Sequence, residues 1–76
     1  MAEVRTRKEA EALAKDRTPM AAEQGEKHQY VMQIVCGGVT KYFSGWFYDS
    51  EDRSEILNDL LNKYGVDCDA NTAKLL

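Results

Sequence analysis

The single histidine, His28, and the two cysteines, Cys36 and Cys68, are the side chains here with the intrinsic reactivity of a general base, a nucleophile or a soft metal ligand. Nucleophilic catalysis needs a base within reach of the nucleophile and an acid to orient that base. No spacing in the chain specifies such a set. Cys36 and Cys68 lack the Cys-x-x-Cys pattern, and with His28 they offer at most three ligands, short of a zinc module. The run Asp67-Cys68-Asp69-Ala70-Asn71 opens like a calcium loop. Such a loop needs glycine at its sixth position and a bidentate glutamate at its twelfth; Thr72 stands at the sixth, and the chain reaches Leu76 without the glutamate. Gly37-Gly38 is followed by no Gly-Lys-Ser/Thr and opens no helix, so it is not a phosphate loop. The expectation is a protein with no catalytic residue, no cofactor and no metal, hence not an enzyme.

The charged residues point away from nucleic acid. Net charge is −3. The basic residues Arg5, Arg7, Lys8, Lys15, Arg17 and Lys27 are matched by the acids Glu3, Glu9, Glu11, Asp16, Glu23 and Glu26 in the same stretch. Phosphate neutralisation needs a surplus of Lys and Arg on one face. The acidic group Asp49, Glu51, Asp52, Glu55 and Asp59 suits the positive end of a helix dipole, and could alternatively mimic a phosphate backbone. The aromatic residues carry more information. Tyr42, Trp46 and Tyr48 recur at even spacing in a β-rich run, and Trp and Tyr concentrate at the centres of interfaces.

These residues must be positioned by few elements. A 76-residue chain fits one domain and buries only about 60% of the surface its unfolded form exposes, for a stability of about 4–11 kcal/mol. Thr6 to Asp16 reads as a helix opened by a capping box, Thr6-Arg7-Lys8-Glu9, with Leu13 its one large apolar side chain. Thr18-Pro19 suggests a second N-terminus, with a short helical turn through Met20, Ala21 and Ala22 that Gly25 closes. Residues 1–27 are thus expected to be helical or partly disordered, and residues 28–76 to form the core of the one domain.

His28 to Cys36 alternates with the period of a strand, and Val39 to Tyr48 is a second β-rich run. Gly37-Gly38 between them signals a hairpin with a primed turn, which requires positive φ. That turn sets a register in which Cys36 faces Val39, Ile34 faces Lys41, Met32 faces Phe43 and Tyr30 faces Gly45. Tyr30, Met32, Ile34, Cys36, Val39, Phe43 and Phe47 then share a core face, with Lys41 the misfit. Val31, Val35, Tyr42, Trp46 and Tyr48 share the outer face. A bulge at Gly45 would reverse everything after it. Ser50 to Tyr64 is a helix with Ile56, Leu57, Leu60, Leu61 and Tyr64 on one stripe; Asp49, Ser50 or Asp52 is its N-cap, and Gly65 ends it with Val66 folding back on Leu61. Ala70 to Leu76 is expected to be a last short helix.

The resulting fold is α+β in the order α-β-β-α, a two-stranded antiparallel hairpin packed against a C-terminal helix and extendable across a dimer. Met1 to Arg5 is not expected to open a secretory signal, and no run approaches the ~20 apolar residues of a membrane helix. The expected location is the cytoplasm, with both thiols reduced and a Cys36–Cys68 disulfide the less favoured alternative. The expected function is a protein-interaction module that uses Val31, Val35, Tyr42, Trp46 and Tyr48 to bind a protein partner or to form a homodimer, with no membrane partner. The alternative is a nucleic-acid-associated protein that uses the N-terminal basic residues with exposed Tyr42 and Trp46.

Overall fold

The computed structural model describes residues 3–4, 6–16, 20–22, 25–48 and 50–76, the side chains of 3 and 20–22 excepted. Thr18, Pro19 and Asp49, with the caps expected of them, lie outside the described residues, as do Arg5 and Arg17.

The fold is α+β, with element order β1 (Glu3–Val4), α1 (Arg7–Lys15), β2 (Met20–Ala22), β3 (Gly25–Cys36), β4 (Val39–Tyr48), α2 (Arg53–Tyr64) and β5 (Cys68–Leu75). The hairpin has the expected register throughout, from Cys36↔Val39 to Lys27↔Tyr48. Gly37 and Gly38 both take positive φ, 59° and 80°, which lets two residues reverse the chain with the twist of the strands. The ladder passes Gly45 without a bulge. Glycine is needed there for another reason: a Cβ would lie 3.2 Å from Leu60 Cδ2 and closer still to the Phe47 ring.

Three expectations are corrected. Met20–Ala22 is a strand, pairing with Gly25–Lys27, and is not a helical turn. Cys68–Leu75 is also a strand, antiparallel to β3, where a helix was expected. Backbone groups on a sheet edge need partners, and this demand overrides a weak local helix signal. The sheet is therefore larger than a two-stranded hairpin: β4 and β3 at its centre, β1 beside β4, and β2 and β5 sharing the far side of β3. The third correction concerns the thiols. Cys36 and Cys68 are register partners, their Cα atoms 4.1 Å apart, and they form a disulfide.

β5 is irregular. Between Val35↔Asp69 and Gln33↔Lys74 its register shifts. Thr72 bridges the gap, its Oγ1 accepting from Val35 N–H at 2.9 Å and donating to Asp69 O at 2.7 Å.

The helices lie on opposite faces of the sheet. Ile56 and Leu60 of α2, both fully buried, pack on Tyr30, Met32, Ile34 and Phe47, with Phe43 stacked on Tyr64 at 5.0 Å. Asp52 is the N-cap of α2, accepting from Ser54 N–H at 2.9 Å. Gly65 N–H closes its last turn on Leu61 O. Val66 is 73% exposed and does not fold back on Leu61; Asp67, at φ 67°, takes the left-handed position instead. Val39, placed on the core face by the alternation, is 58% exposed beside the turn. α1 covers the other face. Thr6 is its N-cap, accepting from Glu9 N–H at 3.2 Å.

Candidate functional site

The outer hairpin face divides into three parts along the strands. At its centre Val31 and Tyr42 are buried beneath α1, in a cluster with Val4, Ala10, Leu13, Ala14 and Leu76. Ala10 permits a close approach of helix to sheet, since it is fully buried and brings only a methyl group. Arg7 fastens the start of α1: Nε donates to Glu11 at 2.7 Å and Nη1 to Gln33 Oε1 at 2.9 Å. Hydrogen bonds to Glu11, then to Tyr42, hold the Arg7 pKa above its ordinary value.

At the turn end, Val35 is half-buried opposite Thr40 and donates its N–H to Thr72. It lies about 20 Å along the sheet from Trp46, six residues at the rise of a strand.

At the end away from the turn, Trp46 is 40% exposed. It sits opposite Gln29, whose Nε2 donates to Ser44 Oγ at 3.3 Å. Ser44 is buried, so this bond satisfies a polar group under the rim of the indole. Two residues further, Tyr48 is half-buried opposite Lys27, and Lys27 Nζ lies 4.8 Å from the ring centroid. An ammonium over an aromatic ring is attracted by its quadrupole, by about 0.5–1 kcal/mol at an exposed site. Glu51 ties the strand end down: Tyr48 N–H donates to Glu51 Oε2 at 2.7 Å, and Glu51 N–H donates to Tyr48 O at 3.0 Å. Both backbone groups of Tyr48 are thereby taken, and a second chain cannot extend the sheet through them.

Of the five residues expected to make one surface, the structure brings Trp46 and Tyr48 together at the accessible end, places Val31 and Tyr42 under α1, and leaves Val35 apart. Lys27 and Gln29, the register partners of Tyr48 and Trp46, belong to this end and are not singled out by their types, and Glu51, known from the sequence only as one of an acidic group, joins them by bonding Tyr48. The signal for the first two was present, since the hairpin register continued past Tyr30↔Gly45 sets Gln29 against Trp46 and Lys27 against Tyr48.

The residues with reactive chemistry are dispersed. Cys36 and Cys68 are consumed in their disulfide. His28 is half-buried opposite Phe47. Among the described residues no group of three or more His, Cys, Asp and Glu is placed to hold a metal ion, and no helix is long and apolar enough to cross a membrane. In comparison with known proteins, the chain matches no family model, no curated protein and no solved structure.

Proposed function

We propose that this chain is a non-enzymatic protein-interaction module whose contact surface is centred on Trp46. The observation that carries the reading is the state of that one side chain. Trp46 keeps 40% of its surface in water while its neighbours on the same strand are held in place. Ser44 below it is buried and bonded to Gln29, and Tyr48 beside it is fixed by Glu51 and by Lys27. A large aromatic ring on a rigid strand, rimmed by polar groups, has the character of an interface hot spot. Little conformational entropy would be lost on binding, because the strand is ordered beforehand. The partner is another protein or a second copy of the chain.

The Cys36–Cys68 bond supports an oxidising compartment over the cytoplasm, because cytosolic thiols are kept reduced. Titration of free thiols in the native protein, alkylated at the moment of cell lysis, distinguishes the two: a paired state supports the first, two free thiols the second.

The reading is tested with Trp46→Ala. Association is measured by sedimentation of the isolated protein and by paired affinity capture with wild type and variant; stability is measured by denaturant. The expected result is association weakened by about 2 kcal/mol or more, with stability of the monomer nearly unchanged. Association unaffected, or stability lost in its place, would make Trp46 a packing residue and remove the proposed surface.

A further inference from the structure

A second surface lies on the opposite edge of the sheet from Trp46. β5 pairs with β3 alone among the described strands. Leu76 N–H donates to Val31 O at 2.9 Å, and Lys74 is the register partner of Gln33. Peptide groups alternate in direction along a strand. The C=O of Ala73 and both the N–H and C=O of Leu75 therefore turn away from β3, to the outside of the sheet. A groove of about 300 Å³ opens alongside, between this stretch and the first turns of α2, lined by Arg53, Ser54, Leu57, Ala73, Lys74 and Leu75. Its floor is apolar. Its rim carries two cations, and no acidic residue lines it. Among the described residues neither Arg53 nor Lys74 has an ion pair.

We infer that this groove accepts an extended acidic peptide segment of another protein as an added strand beside Ala73–Leu75. Strand addition to a free edge draws affinity from the main chain and specificity from alternate side chains. Here the alternation is defined. Side chains of the added strand that share the face of Ala73 and Leu75 meet Leu57 of α2, so apolar residues fit there. Those on the other face lie beside Lys74, so acidic residues fit there. The bulge between Asp69 and Lys74 confines regular pairing to the last part of β5. A second copy of the chain is disfavoured as the occupant, because antiparallel pairing of two β5 edges centred on Lys74 would set the two ammonium groups against each other. This inference stands apart from the Trp46 reading, which concerns the other side of the hairpin.

The test uses the full oxidised chain, isotope-labelled, titrated with a capped hexapeptide that alternates glutamate and valine, and separately with its lysine–valine counterpart. The backbone amide spectrum is the readout. The glutamate peptide should shift the amides of Ala73, Leu75 and Leu57 while leaving Trp46 in place, and should bind about fivefold or more tightly than the lysine peptide. Lys74→Glu, a change at an exposed position, should reduce or reverse that preference without unfolding the protein. Equal binding of both peptides, no shift at Ala73 and Leu75, or shifts that depend on protein concentration without peptide would each overturn the inference. The last would mean that the edge is occupied by a second copy.

Discussion

The two faces of the sheet are closed in different ways. On one, α2 contributes the fully buried Ile56 and Leu60, which meet Met32, Ile34 and Phe47, and the layer is extended by Leu57, Leu61, Tyr64 and Leu75. On the other, α1 contributes Ala10 as its one buried residue, with Leu13 and Ala14 partly buried. The missing volume comes from elsewhere, Val4 from β1 and Leu76 from beyond β5, and polar bonds from Arg7 complete the closure. Burial of large aliphatic side chains contributes roughly 1.5–3 kcal/mol each, whereas an exposed ion pair such as Arg7–Glu11 adds little. The α2 face therefore holds the fold. The α1 face is closed just enough to protect Val31 and Tyr42, and it leaves Trp46 in water.

The difference can be attacked directly. The largest effect is expected from Leu60→Ala. Leu60 is fully buried, and its Cδ2 lies close against Gly45. The cost should lie toward the upper end of about 2–5 kcal/mol, read from the denaturant midpoint. A small shift would mean that α2 is not the main source of stability. Reduction of the disulfide comes next. It joins residues separated by 32 positions, and loosening that closure should cost about 3–4 kcal/mol. Unfolding curves with and without a phosphine reductant measure it; an unchanged midpoint with both thiols free would show that β5 is held by packing alone. Val31→Ala, the same kind of deletion on the α1 side, should cost about 1–2 kcal/mol, because α1 can settle onto the smaller residue. A loss as large as that from Leu60→Ala would erase the contrast between the faces. The smallest effect is expected from Arg7→Ala: a slight loss that shrinks as salt is added, since the group is exposed and its pairing with Glu11 is screened.

The hairpin and α2 were legible in the sequence because each is specified by a local rule. Two glycines set the turn, and with period-2 alternation they set the register from Cys36↔Val39 onward. The stripe of Ile56, Leu60 and Tyr64 set the helix face. β5 was not legible. Its alternation is broken by the bulge at residues 70–73, and Asp69, Asn71 and Thr72 read locally as cap and turn residues. Asp69 does make such a turn, its Oδ1 accepting from Asn71 N–H, but inside a strand. The disulfide is hidden for the same reason: Cys68 becomes the partner of Cys36 only once β5 lies beside β3. β2 was missed because Met-Ala-Ala after proline favours a helix locally, and only pairing with Gly25–Lys27 makes it a strand. At the candidate site the outward direction of Trp46 followed from the register. The cover over Val31 and Tyr42 did not, because a helix with Leu13 as its one large apolar residue looks unable to close a face. It closes this one with small side chains at short range and with residues from both distant ends of the chain.

Native-state hydrogen exchange tests the inequality of the two faces most directly, because it reads the opening free energy of each helix in the same molecule. The amides of Leu60 and Leu61 in α2 should exchange only through global unfolding. Those of Leu13 and Ala14 in α1 should exchange through a local opening of clearly lower free energy, insensitive to low denaturant. Equal opening free energies for the two helices, converging on the global value, would contradict the account and make α1 as much a part of the cooperative core as α2.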